Sequence, residues 1–259
     1  MRFFKTLHFL SLDVVIGACL FQYLVTSMFM EGQFPPFVVT LALAFSVWTI
    51  YLVDRFIDNR KPIAHSVLHD FHLKHITKIT YLIVCNILSL LVIIIYLPKY
   101  LIINGFCIGF FILIYWSLLI FGLFDRVRFL KEILTALIYT IGIFLYVFLN
   151  VDQVSFLFVS ILVLLFLLAF QNLILFTLLS KSDLKRDFLL ICVEVICICL
   201  WFAIFSFAQL SIFLLLPFLV TFVIHLWIHY ISKSKQWVWL GELAFFSPLL
   251  YYLYAIIST

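Results

Sequence analysis

Charge is what this sequence is shortest of. Only 11% of its 259 residues are charged and 67% are hydrophobic, where a soluble domain carries about 25% charged and about 45–50% apolar residues. So few polar groups cannot cover a globular surface facing water, which leaves lipid as the solvent that fits. Glycine and proline are also sparse, at seven and six residues. Pro35, Pro36, Pro62 and Pro98 fall in connections and only Pro217 and Pro248 in late apolar runs, so the broken midplane helices common in secondary transporters are little in evidence. No polar stretch is long enough for a separate soluble domain, and there is no low-complexity tail. No small-residue cleavage site closes the run from about Leu7 to Met30, which therefore reads as a first span, not a signal peptide. The six cysteines (Cys19, Cys85, Cys107, Cys192, Cys197, Cys199) all lie within apolar runs without metal-ligand spacing and read as packing residues.

What is there in abundance is continuous apolar sequence. A β-barrel would show alternating segments of about 10 residues, whereas these runs have the ~20 residues that a helix needs to cross a bilayer. The expected fold is an all-α membrane bundle of nine spans, near 8–30, 36–54, 79–97, 100–122, 131–149, 154–178, 188–207, 209–230 and 237–257, forming one transmembrane domain over 1–259. The weakest boundary is the turn near Ala208–Ser211. The one long connection, 55–78, is expected to cap the bundle. With the N-terminus inside, every Lys and Arg except Lys99 falls in a cytoplasmic segment, 15 of the 16 basic residues. The positive-inside rule then puts the N-terminus in the cytoplasm and the C-terminus outside, and it accounts for the net charge of +4 without a nucleic-acid partner.

In so apolar a chain each polar cluster is informative. The second span ends in Tyr51-x-x-Asp54-Arg55-x-x-Asp58, followed by Arg60 and Lys61. The sixth is followed by Asp183-Leu-Lys185-Arg186-Asp187. Residues i and i+4 share a helix face, so Asp54 pairs with Asp58 and Asp183 with Asp187. Asn172, eleven residues before Asp183, falls on the same stripe. Tyr51 lies nearly a turn before Asp54. Four carboxylates converging on one cavity would repel each other, and Mg²⁺ relieves such repulsion while bridging carboxylates to substrate phosphates. The interleaved basic residues suit a diphosphate. The four-span separation suggests an internal duplication.

With these motifs, together with Lys131-Glu132 opening span five, Tyr139-Thr140-x-Gly142 within it and Asn172, the chain resembles the UbiA superfamily of intramembrane prenyltransferases. That resemblance implies nine helices, Mg²⁺ held at two aspartate-rich motifs on the cytoplasmic side of a bacterial inner membrane, and prenyl transfer from an isoprenoid diphosphate to a lipophilic, often aromatic, acceptor. It assigns metal and catalytic roles to Asp54, Asp58, Asp183 and Asp187, and substrate contacts to Tyr51, Arg60, Lys61, Lys131, Tyr139, Asn172, Lys185 and Arg186. Tyr115, Trp116 or Tyr139 would face the carbocation. The motifs are reduced relative to the family. Ile50 and Tyr51 occupy the first two places of its N-D-x-x-D-x-x-x-D, and Leu179 or Ile191 stands where a third aspartate of the second motif would fall. A non-catalytic relative that binds lipid or a partner is therefore a second expectation, and a transporter a third.

Other polar residues have blander readings. Asp13 and Glu242 are expected near the cytoplasmic boundary within reach of water. Glu194 lies deeper and should pair structurally with a polar group such as Asn172 rather than relay protons. His225 and His229 read as interfacial. His65, His69, His72 and His75 would form one stripe on a cap helix, with a zinc site as a lesser alternative.

Overall fold

The computed structural model describes residues 7–58, 67–123, 129–180, 184–207, 212–232 and 238–258. Among the described residues there is no strand, and nine helical segments are long and apolar enough to cross a membrane. The chain is an all-α, multi-pass membrane protein. Its helices are α1 (Leu12–Phe29), α2 (Phe37–Asp58), α3 (Val67–Lys74), α4 (Ile76–Ile94), α5 (Lys99–Ile120), α6 (Leu130–Phe148), α7 (Phe156–Ser180), α8 (Leu184–Phe207), α9 (Ile212–Trp227), α10 (Val238–Leu243) and α11 (Pro248–Ser258). The short α3 lies within the expected cap connection.

Local chemistry sets the boundaries. α1 stops where Gly32 turns left-handed at φ 78° and its N–H reaches back to the Ser27 carbonyl, a glycine-terminated helix end. The second span runs four residues further than expected, so both Asp54 and Asp58 are helical. The third span starts and stops three residues early, because Pro98 caps α5 and cannot continue α4. The seventh begins at Leu184, placing Asp187 in its first turn, where the exposed N–H groups of a helix favour an acid. The expected weak turn at 208–211 lies outside the described residues. The last two spans depart from regular α geometry. α9 ends in a π-helical turn, Ile228–Ser232, and the ninth span is α10, a 3₁₀ turn at Ala244–Phe246 and α11.

The helices divide into two compact units, Met1–Cys19 with Pro35–Lys131, and Leu20–Phe34 with Glu132–Thr259. In the first, α2 packs along α4 and also touches α5, with Leu52, Ile79, Leu101 and Leu119 buried. Trp48 donates its ring N–H to the Leu10 carbonyl at 2.9 Å. α4 and α5 expose Leu88, Leu91, Val92, Phe106, Phe110 and Phe111, a surface that lipid tails solvate without cost. In the second, α8 and α9 pack on α7, and α10 and α11 pack on α9. Its core is aromatic. The Phe21 ring lies edge-on to Phe218 and Phe245 at 5.2 and 5.7 Å, and Phe158 meets Phe29 and Phe144 at 5.1 and 5.3 Å, the edge-to-face geometry that aromatic quadrupoles favour.

Candidate functional site

In the first unit the acid pair of α2 is met by a lysine. Asp54 and Asp58, one turn apart, face Lys131, the second residue of α6. The Lys131 ammonium lies 2.6 Å from Asp58 Oδ2 and 3.3 Å from Asp54 Oδ2. The buried Tyr115 of α5 donates its hydroxyl to Asp54 Oδ1 at 2.7 Å. Two carboxylates side by side repel, and one ammonium with three donors can bridge both. The side chains are only partly covered, at 32% exposure for Lys131, 17% for Asp54 and 27% for Asp58, so solvent or a ligand reaches the cluster. Tyr51 lies half-buried on the same helix. Mg²⁺ typically takes one or two carboxylates and completes its shell with water and phosphate oxygens. Asp54 and Asp58 supply two such groups, so the residues fit a metal that arrives with a phosphate rather than one caged by protein alone.

The other expected site residues fall elsewhere. Arg60, Lys61 and Asp183 lie outside the described residues, as do the side chains of Lys185 and Arg186. Tyr139 is buried in the second unit with its ring 5.9 Å from Phe245. Asn172 lies against α10, where its Oδ1 would be 2.5 Å from a Cβ placed on Gly241. Of the histidine stripe, His72 is turned inward, with Nε2 2.8 Å from the Phe9 carbonyl, and the His75 ring packs on Phe71. Asp13 is buried, with Oδ2 3.1 Å from His8 Nδ1, and Glu242 is buried as well.

The second unit holds a polar cluster that sequence reasoning largely missed. Glu194 is paired with polar groups as expected, here Gln171, His229 and Tyr230. Its Oε1 lies 2.8 Å from His229 Nδ1 and accepts a long contact from Gln171 at 3.4 Å, and its Oε2 accepts the Tyr230 hydroxyl at 2.8 Å. His229 Nε2 lies 2.8 Å from Asp187 Oδ1. His225, expected at the interface, is fully buried between the Gln171 side chain at 3.4 Å and the Gly241 carbonyl at 3.2 Å. His229 is buried too. The available signal was the need of a deep acid for partners, set beside two histidines four residues apart near the end of the next span.

Comparison with models of known protein families, with curated proteins and with solved structures finds no match for this chain.

Proposed function

We propose that Asp54, Asp58 and Lys131 form the donor end of an intramembrane prenyltransferase that takes an isoprenoid diphosphate and transfers its alkyl group to a lipophilic acceptor. The observation that carries this reading is the single half-exposed lysine shared between two carboxylates where α2 ends and α6 begins. On the positive-inside argument that end faces the cytoplasm, and the family resemblance would place it at a bacterial inner membrane. There a soluble diphosphate head can arrive while its prenyl tail enters the apolar bundle.

Asp54 and Asp58 would hold Mg²⁺ together with the donor's phosphate oxygens. When bound, the metal supplies Lewis-acid neutralisation of the leaving diphosphate. Lys131 keeps one N–H on a carboxylate and turns another to the phosphate. Tyr115 fixes the Asp54 carboxylate through Oδ1. The allylic C–O bond breaks with its electron pair going to diphosphate, an acceptor carbon or oxygen supplies the pair for the new bond, and that acceptor loses a proton. The apolar helices exclude the water that would otherwise yield the prenyl alcohol.

A second reading, a non-catalytic relative that binds the same diphosphate lipid, is favoured by one feature: Lys131 already occupies the face between the two carboxylates that a cation would take. The two readings separate on incubation of the purified chain with geranyl diphosphate, Mg²⁺ and a panel of aromatic and isoprenoid acceptors. Diphosphate release that depends on acceptor and is lost in Asp54→Ala supports transfer. Metal-dependent binding without release identifies the binding relative. No binding with or without metal sinks both.

A further inference from the structure

The helix that opens the third span has two contrasting faces, and the buried one fixes which way the other looks. The backbone barely breaks between α3 and α4. The His75 N–H donates to the Phe71 carbonyl at 3.1 Å and the Ile79 N–H to the His75 carbonyl at 3.0 Å. Faces can therefore be counted through His75 at about 100° per residue. His72, Ile79 and Asn86, seven residues apart, are buried at 2%, 3% and 2% exposure. His72 Nε2 meets the Phe9 carbonyl at 2.8 Å, and the Phe71 ring lies 4.9 Å from that of Phe9. This face looks into the first unit. Lys74, Tyr81 and Leu88 each stand two residues further on, about 200° round the helix, and all three are exposed.

With Lys78, Cys85 and Val92, these three form one stripe at alternating four- and three-residue spacing. Its chemistry is ordered along the helix. Two ammoniums come first, one turn apart. The Tyr81 phenol follows, 69% exposed, and then the exposed Cys85, Leu88 and Val92, the last two at 56% and 57%. Lys78 to Leu88 is ten residues, about 15 Å, which matches the hydrocarbon depth of one leaflet. Leu73 and Ile76 are exposed beside the lysines, so the lysine stems lie against apolar surface while the ammoniums reach outward. Tyr81 stands one turn deeper, where a phenol suits the interface. Like charges at i and i+4 repel. From Lys74 to Lys99 the sequence holds no acidic residue, and Asp70, one turn before Lys74, is eight residues or about 12 Å from Lys78. An anion between the two ammoniums accepts hydrogen bonds from both and offsets their repulsion. A free anion would leave the apolar part of the stripe unused, whereas a phospholipid matches both parts.

We propose that the stripe from Lys74 to Val92 binds an anionic phospholipid. Its phosphate lies between the Lys74 and Lys78 ammoniums, its glycerol esters beside Tyr81 and one acyl chain along Cys85, Leu88 and Val92. On the positive-inside argument this is a lipid of the cytoplasmic leaflet, whose surface potential is negative. Neither lysine belongs to the proposed donor cluster, where Lys131 serves Asp54 and Asp58, so the lipid site does not depend on the diphosphate reading.

The test uses the full chain in detergent. Native mass spectrometry titrates phosphatidylglycerol and phosphatidylcholine of the same chain length against wild type, Lys74→Gln, Lys78→Gln and the double variant. The site predicts that wild type prefers phosphatidylglycerol and that the preference falls about fivefold for each lysine removed, the contribution of one basic residue near an anionic surface. Lys74→Arg with Lys78→Arg should retain the preference, which separates loss of charge from loss of fold. Phosphatidylglycerol carrying a diazirine at the end of an acyl chain should crosslink to the peptide that holds Leu88 and Val92. An equal preference in wild type and the double glutamine variant would overturn the proposal, as would crosslinks confined to other spans. So would a second copy seated on this face, read as a Cys85–Cys85 disulfide on oxidation of a chain whose other five cysteines are replaced.

Discussion

Lys131 is the residue on which the proposed donor site turns. Without it, Asp54 and Asp58 stand one turn apart on one helix face and lose the ammonium that bridges them. Lys131→Met should therefore destabilise the protein by about 1.5–3 kcal/mol, the range for hydrogen bonds to charged groups, and adding Asp58→Asn should recover part of that loss. Thermal unfolding in detergent measures both. The Asp54–Asp58 spacing was legible in the sequence from helical periodicity; Lys131 was expected to contact a substrate, and its pairing with both acids was not foreseen. The Tyr115 bond was not legible either, because periodicity along one helix says nothing about which hydroxyl of another reaches it; Tyr115 was expected to offer its ring face, and its hydroxyl carries the contact. Gly241 is a second residue with a sharp expectation. A Cβ there would stand 2.5 Å from Asn172 Oδ1. Gly241→Ala should turn the Asn172 amide aside, a side-chain shift costing about 0.5–1.5 kcal/mol, and Gly241→Ala with Asn172→Ala should remove that cost.

The spans themselves were legible because length and apolarity are properties of sequence alone, and nine expected runs became nine helical segments among the described residues. The irregular ends of spans eight and nine were not, since they arise from partners supplied by other helices. Thr221 of α9 shows the coupling. Its Oγ1 lies 2.9 Å from the Pro217 carbonyl, 3.0 Å from the Ala244 carbonyl and 2.8 Å from Ser247 Oγ. It thereby serves the 3₁₀ turn whose carbonyls lack regular helical donors. Thr221→Val, which keeps the shape and removes the hydroxyl, should cost about 1 kcal/mol, within the range measured for interhelical hydrogen bonds in membranes, and should lower the unfolding temperature without abolishing folding. The histidines of α9 illustrate the same limit. As sequence, His225 and His229 near a span end look interfacial; buried, they become the partners that Glu194 and Gln171 require.

Taken as one chain, the protein concentrates its basic residues on alternate connections, and the expected orientation rests on that bias rather than on any single helix. In a chain whose six native cysteines are replaced, Lys99→Cys should react with an impermeant thiol reagent added outside intact cells, and Arg55→Cys should react only after permeabilisation. The reverse pattern would invert the orientation and move the proposed donor site to the wrong compartment for a soluble diphosphate. The central claim is that the Asp54–Asp58–Lys131 cluster binds an isoprenoid diphosphate. The most direct measurement is calorimetric binding of geranyl diphosphate, with and without Mg²⁺, to wild type, Asp54→Asn and Lys131→Met in nanodiscs. The account predicts Mg²⁺-enhanced binding in wild type, loss of the metal dependence in Asp54→Asn, and weaker binding in Lys131→Met whether or not metal is present. Equal affinity across all three proteins, indifferent to metal, would contradict it.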